Sequence, residues 1–309
     1  MERPWTGIGE IVCLLEPGAA EPTFFKSGLR FVWGRLEDPI AMDAATAGCD
    51  FVLHAAGLLH VRRTADWYRV NTEGTRVLLE AALRTGSLRR FVLISSNAAA
   101  GPAERPGELL REEMVEKPLS HYGHSKLLAE RIVLAKKEAA EVVVLRPCMF
   151  YGPPVPPRHV EVYRRILSGR MPLVGEGRYD RSLTYIGHLV DACRLALVHP
   201  RAPGEVFYVA DRSPCTTHEV VEAMAEALGV EARYYRLPAL VARFAFAVDQ
   251  IAASAGVYIQ PIHLLGEADW NVGVSVDKAV ALLGYDPKIS LREGMRTAVD
   301  WCRARRLLD

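Results

Sequence analysis

A doubly wound α/β domain built on a parallel sheet, followed by a smaller carboxyl-terminal lobe, is the fold this sequence predicts. Three observations carry that expectation. Five short apolar runs have continuous rather than alternating hydrophobicity, the pattern of strands buried on both faces. Helical patterns alternate with those runs along the chain. After Pro147 the texture changes to proline and glycine punctuation, with no second complete series of alternating strands and helices.

Taken in order, Glu10-Ile-Val-Cys-Leu-Leu15 reads as a strand stopped by Pro17-Gly18, and Leu29-Arg-Phe-Val-Trp33 as a strand stopped by Gly34. Asp50-Phe-Val-Leu-His-Ala-Ala56, Arg90-Phe-Val-Leu-Ile-Ser95 and Glu141-Val-Val-Val-Leu145 complete the five. Residues 72–85 carry apolar positions Val77, Leu78 and Ala81 at helical spacing, and residues 122–138 carry Leu127, Leu128, Ile132 and Val133. The punctuation is densest in Gly152-Pro-Pro-Val-Pro-Pro157, Gly175-Glu-Gly177 and 200–204, with a further helix over 217–228. The expected division is therefore a dinucleotide-binding type of domain over 1–150 and a lobe over 151–309 that covers the carboxyl ends of the strands and returns some segments to the sheet. Clefts at that edge are where open α/β sheets take ligands.

Composition narrows the function classes. The 309 residues carry 38 Lys and Arg against 37 Asp and Glu, a net charge of +1, so no global field draws the chain to nucleic acid or an anionic membrane. A small molecule is the expected partner. Six scattered cysteines form neither a C-x-x-C pair nor a Cys/His cluster, so no metal is expected and the thiols read as reduced and packed, in a cytoplasmic protein. The opening residues do not read as a signal peptide. The most apolar stretch, 239–259, is interrupted by Arg243, Asp249 and Gln250, too charged to span a bilayer. It reads as a buried or lid-forming helix, with peripheral membrane contact through one face as the alternative.

The sharpest chemical constellation is Ser95-Ser96 at the end of a buried strand, with Tyr122-Gly-His-Ser-Lys126 at the start of a helix. A tyrosine and a lysine four apart lie on one helix face. A nearby ammonium favours phenolate and is expected to pull the tyrosine pKa down from about 10 toward the range of an acid/base catalyst. Ser96 can then hold a substrate oxygen against Tyr122.

Together with other segments, this constellation resembles the extended short-chain dehydrogenase/reductase family, which includes NAD-dependent epimerases, dehydratases and 3β-hydroxysteroid dehydrogenases. The resemblance runs from Glu10 to the carboxyl terminus. It comprises Asp50-Phe-Val-Leu-His-Ala-Ala-Gly57, Val70-Asn-Thr-Glu-Gly-Thr75, Ser95-Ser96, the Tyr122 to Lys126 motif, and Leu145-Arg-Pro-Cys-Met-Phe-Tyr-Gly-Pro153. Farther on come Thr184-Tyr-Ile-Gly-His-Leu-Val-Asp-Ala192 and Leu283-Gly-Tyr-Asp-Pro287. It implies a Rossmann-like domain with a carboxyl-terminal substrate-binding lobe. Tyr122 would be the general acid/base, Lys126 would tune it and bind the nicotinamide ribose, and Ser96 would orient the reacting hydroxyl or carbonyl. Asn71 would support a proton relay, or cap a helix. Glu16, Ala55, Ala56, Gly57, Ser95 and Pro147 would line the cofactor, NAD or NADP, with NAD favoured because Glu16 repels a 2′-phosphate.

The resemblance also sets the branch and the rivals. Ser95-Ser-Asn-Ala-Ala-Ala-Gly-Pro102 and Tyr185-Ile-Gly-His188 look most like the 3β-hydroxysteroid dehydrogenase branch. The leading expectation is thus an alcohol/ketone oxidoreductase acting on an apolar substrate, with a sterol-like molecule as the candidate. One rival is a sugar-nucleotide epimerase or dehydratase, with Arg178 and Arg181 meeting a diphosphate. The other is a non-catalytic ligand-binding protein. A homodimer is expected on the helices beginning near Thr72 and Tyr122, covering Leu79, Leu128 and Ile132.

The pattern fails at its opening. The family begins with a strand, a glycine-rich turn and a helix whose N-terminus binds pyrophosphate. Thr6-Gly-Ile-Gly9 does not supply that turn, because the third glycine of G-x-G-x-x-G would fall at Val12, and Glu16 follows Gly7 by only nine residues where roughly 20 are usual. Arg35 stands where relatives usually have an aspartate. The expectation is that the family's first strand and helix are absent. Residues 10–15 should then pair directly with 51–55, bringing Glu16 toward the pyrophosphate position and weakening dinucleotide binding.

Overall fold

The computed structural model describes residues 9–19 and 28–308, so part of Thr6-Gly-Ile-Gly9 lies outside the described residues. The first half follows the strand and helix alternation: β1 (Ile11–Leu15), β2 (Leu29–Trp33), α1 (Pro39–Thr46), β3 (Phe51–His54), α2 (Thr64–Trp67), α3 (Gly74–Arg84), β4 (Arg90–Ile94), α4 (His121–Leu134) and β5 (Glu141–Pro147). Asp38 caps α1 by accepting from the N–H groups of Ile40 and Ala41, and Pro39 supplies a preset first helical turn. Between α2 and α3 the chain makes a π-helical turn, Tyr68–Glu73, a feature that often marks functional sites.

The second half contributes β6 (Met149–Tyr151), α5 (Pro157–Leu167), β7 (Met171–Val174), β8 (Asp180–Arg181), β9 (Leu183–Tyr185), α6 (Ile186–Val198) and β10 (Val206–Val209). It continues with β11 (Cys215–Thr216), α7 (Thr217–Leu228), β12 (Tyr234–Leu237), α8 (Ala239–Ser254), α9 (Gln260–Gly266), α10 (Asp277–Leu283) and α11 (Leu291–Ala304). β10 returns to the main sheet and pairs in parallel with β5, Val206 opposite Val144. The small β6–β9, β7–β12 and β8–β11 sheets and the α8–α9 hairpin make up much of the rest of the second half.

The sheet topology corrects one expectation. β1 pairs in parallel with β2, Ile11 opposite Leu29, and the two form a sheet of their own. The four-stranded sheet runs β10-β5-β4-β3, and among the described residues no strand joins β1 to β3. Direct pairing of 10–15 with 51–55 does not occur. The reason lies in the helices. Leu14 of β1 and Val52 of β3 pack against one shared core that contains Met42 of α1 and Val77, Leu78 and Ala81 of α3. Closing the interval by one strand spacing of ~4.8 Å would pull Leu14 off that core. Nor is there a buried penalty forcing closure, because Phe51 and Leu53 of β3 stay about two-fifths exposed, at 41% and 42%, and water reaches that edge.

A second correction concerns the proposed dimer face. Leu79 points into the core, 1% exposed, and Ile132 packs against the same core, whereas Leu128 is exposed. The described helices include none long and apolar enough to cross a membrane. Within α8, Leu240, Phe244 and Ile251 face solvent while Ala242, Ala245 and Asp249 turn inward.

Candidate active site

Two close backbone approaches assemble the site. β4 ends at Ile94, and Ser96 opens a turn over Asn97–Ala99 by accepting from the Ala98 N–H at 3.2 Å. The start of α4, capped by Ser120 on the Gly123 N–H at 3.2 Å, lies directly on that turn. A Cβ at Gly123 would stand 2.3 Å from the Ala98 carbonyl oxygen, so only glycine permits the contact. The consequence is chemical: the Ser96 side chain is brought to Tyr122, where it acts to lower the phenol pKa.

Below them, Lys126 is buried and its Nζ donates to the Ile94 carbonyl at 2.7 Å. Burial pushes its pKa down to about 8, partly offset by the Glu130 carboxylate. A Cβ at Gly57 would lie 4.0 Å from Lys126 Nζ and 3.1 Å from Asn71 Oδ1, which makes this the point of close approach on the loop after β3. Asn71 is no helix cap. It sits inside the π-helical turn, accepts from the Leu58 N–H at 2.7 Å, and donates to the Leu58 carbonyl at 3.1 Å and to Ser125 Oγ at 3.2 Å. It therefore fixes the loop over Gly57 to α4.

The expected downward shift of Tyr122 is not what the structure gives. Burial raises its pKa; the Ser96 side chain and the Arg158 charge act against that, and the Glu267 charge adds to it. At neutral pH Tyr122 is a phenol. Its ring stands 6.1 Å from Trp67, which meets Tyr258 edge-on at 4.7 Å.

The nicotinamide side of a dinucleotide site finds matching groups. Ala55, Ala56 and Gly57 are exposed at the end of β3, Pro147 is buried at the end of β5, and the Ser95 hydroxyl is buried without a hydrogen-bond partner among the described residues. An orphaned hydroxyl, next in the chain to the carbonyl that accepts from Lys126, and an open backbone ledge suit a ribose or carboxamide. The adenosine side is less complete. Glu16 is exposed just beyond β1, followed by the Pro17-Gly18 turn, and Arg35 follows β2. The described residues include no glycine-rich turn between a strand and a helix that would cradle pyrophosphate.

Sequence reasoning did not single out the opposite wall. His263 lies between two carboxylates, its Nδ1 2.8 Å from Asp249 and its Nε2 3.0 Å from Glu267. Burial alone would lower its pKa, but the two carboxylates raise it to about 9. Both ring nitrogens donate, so the ring is an imidazolium. His60 receives Arg158 Nη1 and Gln260 Nε2 on one nitrogen, each at 3.3 Å, and its ring stacks on Tyr258 at 6.4 Å. These residues come from four separated segments, so spacing along the chain offered no signal beyond Trp67-Tyr68 shortly before Asn71. The two arginines offered for a diphosphate lie elsewhere. Arg178 is 82% exposed and paired with Glu176. Arg181 donates to Thr217 Oγ1 and to the carbonyls of Glu267 and Ala268 at 2.8–3.1 Å.

The late motifs converge on Asp211, which accepts from the Tyr151 hydroxyl at 2.7 Å, the Tyr185 N–H at 2.9 Å and His188 Nδ1 at 2.8 Å. They lock the lobe to the main sheet. No metal-ligand cluster occurs among the described residues.

This arrangement coincides with a family model. Residues 7–210 match the NAD dependent epimerase/dehydratase family. The chain belongs to that family. Members are NAD-dependent epimerases, dehydratases and reductases, and the fold is theirs. An uncharacterised protein of Sinorhizobium fredii is 36% identical over 90% of this chain and 81% of its own length. The UDP-glucose 4-epimerase of Vibrio cholerae is 28% identical over 87% of this chain and 81% of its own. The 4-hydroxy-2-methyl-3-oxo-4-farnesyl-3,4-dihydroquinoline-1-oxide ketoreductase of Stigmatella aurantiaca is 29% identical over 87% of this chain and 82% of its own. Among solved structures, MoeE5 in complex with UDP-glucuronic acid and NAD superposes with a TM-score of 0.73 at 25% identity, covering 96% of this chain and 91% of that one.

Proposed function

We propose that this chain interconverts an alcohol and a ketone with NAD or NADP, Tyr122 acting as the proton donor and acceptor. The observation that carries the reading is the close packing of the Ser96 turn on the start of α4 at Gly123, which brings Ser96 to Tyr122 while Lys126, one turn on, is buried against the end of β4. Bound nicotinamide supplies or removes the hydride. Ser96 and Tyr122 hold the reacting oxygen between them; in reduction the phenol gives that oxygen its proton, and in oxidation it takes the proton back. Lys126, Gly57 and Ser95 would hold the nicotinamide ribose and carboxamide, and Asn71 keeps the Gly57 loop against α4. Glu16 favours NAD by accepting from ribose hydroxyls and repelling a 2′-phosphate.

The ketoreductase among the relatives, whose substrate carries a farnesyl chain, favours carbonyl reduction on a largely apolar molecule. The sugar-nucleotide reading is favoured by the epimerase relative and by MoeE5, but the positions of Arg178 and Arg181 leave it without its expected diphosphate ligands. A homodimer through α3 and α4 is retained on the strength of exposed Leu128, and free thiols at all six cysteines fit a cytoplasmic setting. Tyr122→Phe removes one hydroxyl and keeps the ring. We expect a loss of ~10² to 10⁴-fold in turnover with an unchanged melting temperature; retention of more than about a tenth of the activity would remove Tyr122 from this role.

A further inference from the structure

Arg158 opens α5, is half-buried, and acts on Tyr122 through its charge. A guanidinium offers five donors in a rigid fork. Here its one side-chain acceptor among the described residues is His60 Nε2 at 3.3 Å, a single lone pair shared with Gln260 Nε2, and its plane rests near the Phe150 ring at 5.9 Å. His60 receives two donors on that nitrogen, so it is neutral and cannot balance the charge. A cation half out of water with most of its donors unspent is a group awaiting an anion.

We propose that Arg158, backed by His60, is a carboxylate-binding subsite, so that the substrate carries a carboxylate a few bonds from the carbon that reacts at Tyr122. The proposal rests on the alcohol/ketone reading and narrows its substrate class to hydroxy and oxo acids with an apolar remainder. Ring contacts link His60 to Tyr258, Tyr258 to Trp67 and Trp67 to Tyr122 at centroid distances of 4.7–6.4 Å, and the Arg158 charge acts on Tyr122. The other charges on this wall do not cancel the effect. Glu267 is the carboxylate nearest in role, but it accepts from the His263 imidazolium, which also holds Asp249. Those three sum to one negative charge, already engaged within the group. A phosphate is the competing anion, because exposed Arg62 and Arg63 lie on the same loop as His60, and titration with a phosphonate decides between the two; Arg181 is spent on carbonyls and Thr217, Arg178 is paired at the surface, and Lys126 is turned to Ile94. The planar fork of Arg158 matches a planar two-oxygen anion.

The test measures binding without cofactor or turnover, so its failure is separable from failure of Tyr122→Phe to lose activity. Calorimetric titrations of the intact protein would use 3-hydroxyoctanoate, its neutral amide 3-hydroxyoctanamide, and 2-hydroxyheptylphosphonate. We expect the carboxylate to bind about 10-fold or more tightly than the amide, the worth of a charge-assisted hydrogen bond pair. Arg158→Met should abolish that preference, Arg158→Lys should keep part of it, and Tyr122→Phe should leave it intact. Because Arg158 makes no buried ion pair, the melting temperature of both Arg158 variants should match the parent. Equal affinity for acid and amide, an undiminished preference in Arg158→Met, tighter binding of the phosphonate, or binding of none of the three would each overturn the subsite.

Discussion

Replacing Glu130 by Leu tests how the catalytic helix is held. Arg146, at the end of β5, lies 2% exposed and makes a two-pronged contact with Glu130 of α4, itself 1% exposed: Nε to Oε1 at 3.0 Å and Nη2 to Oε2 at 2.6 Å. Removing one member of such a pair leaves an uncompensated buried charge, a loss of about 3–5 kcal/mol. Glu116, 31% exposed, stays within 3.0 Å of the same nitrogen, which places the expected loss near the lower end, at about 3 kcal/mol. The double variant Glu130→Leu with Arg146→Met should recover most of that, since apolar replacement of a buried pair is often neutral. Urea unfolding of the four proteins in the cycle gives these numbers. There is also a chemical consequence, because the Glu130 carboxylate raises the pKa of Lys126, which burial has brought to about 8. In Glu130→Leu that pKa falls further, so any cofactor binding that needs the ammonium should weaken as pH rises through neutrality. A Glu130→Leu protein within about 1 kcal/mol of the parent, or a double variant as unstable as the single one, would refute the reasoning.

The His263 imidazolium predicts a pH dependence. Its folded pKa, about 9 against 6.5, is raised, so the stabilisation is complete below pH 6.5 and is lost as pH rises through about 9, at most about 3 kcal/mol. Urea midpoints should fall over that window, and His263→Gln should flatten the fall. His54 has the opposite sign: buried and lowered to about 3, it stabilises the fold above pH 6.5 and destabilises it as pH falls below that value, measurable as acid-side loss of the same midpoints. Gly123→Ala must push α4 off the Ala98 carbonyl, 2.3 Å from the new Cβ, and should cost turnover well before it unfolds the chain. Leu128→Lys should give a monomer by light scattering; a parent protein already monomeric at micromolar concentration would end the dimer proposal.

Much of the sheet was legible because strands buried on both faces read as unbroken apolar runs, as Arg90–Ile94 and Glu141–Pro147 do, and the half-buried Ile11–Leu15 and Leu29–Trp33 carry the same pattern. The Tyr122 to Lys126 motif was legible because four residues on a helix share a face. The pairing of β1 was misjudged because hydrogen bonds were weighed without the helices: the core shared by Leu14, Met42, Val77 and Val52 sets where β1 stands, and an edge wetted by solvent has no need to close. The sign of the Tyr122 shift was missed because spacing reports a neighbouring charge but not burial, and here burial dominates. Arg158, His60, Tyr258 and His263 were invisible in sequence because the lobe gathers them from α5, the loop after β3 and the α8–α9 hairpin.

Fluorescence titration with NADH tests the central claim most directly. If Lys126, Gly57 and Ser95 hold a nicotinamide nucleotide beside Tyr122, the protein binds NADH saturably below about 1 mM, Lys126→Ala weakens that binding, and Tyr122→Phe leaves it nearly unchanged while abolishing turnover. Absence of both NADH and NADPH binding at that concentration would contradict the assignment of this chain as a nicotinamide-dependent oxidoreductase.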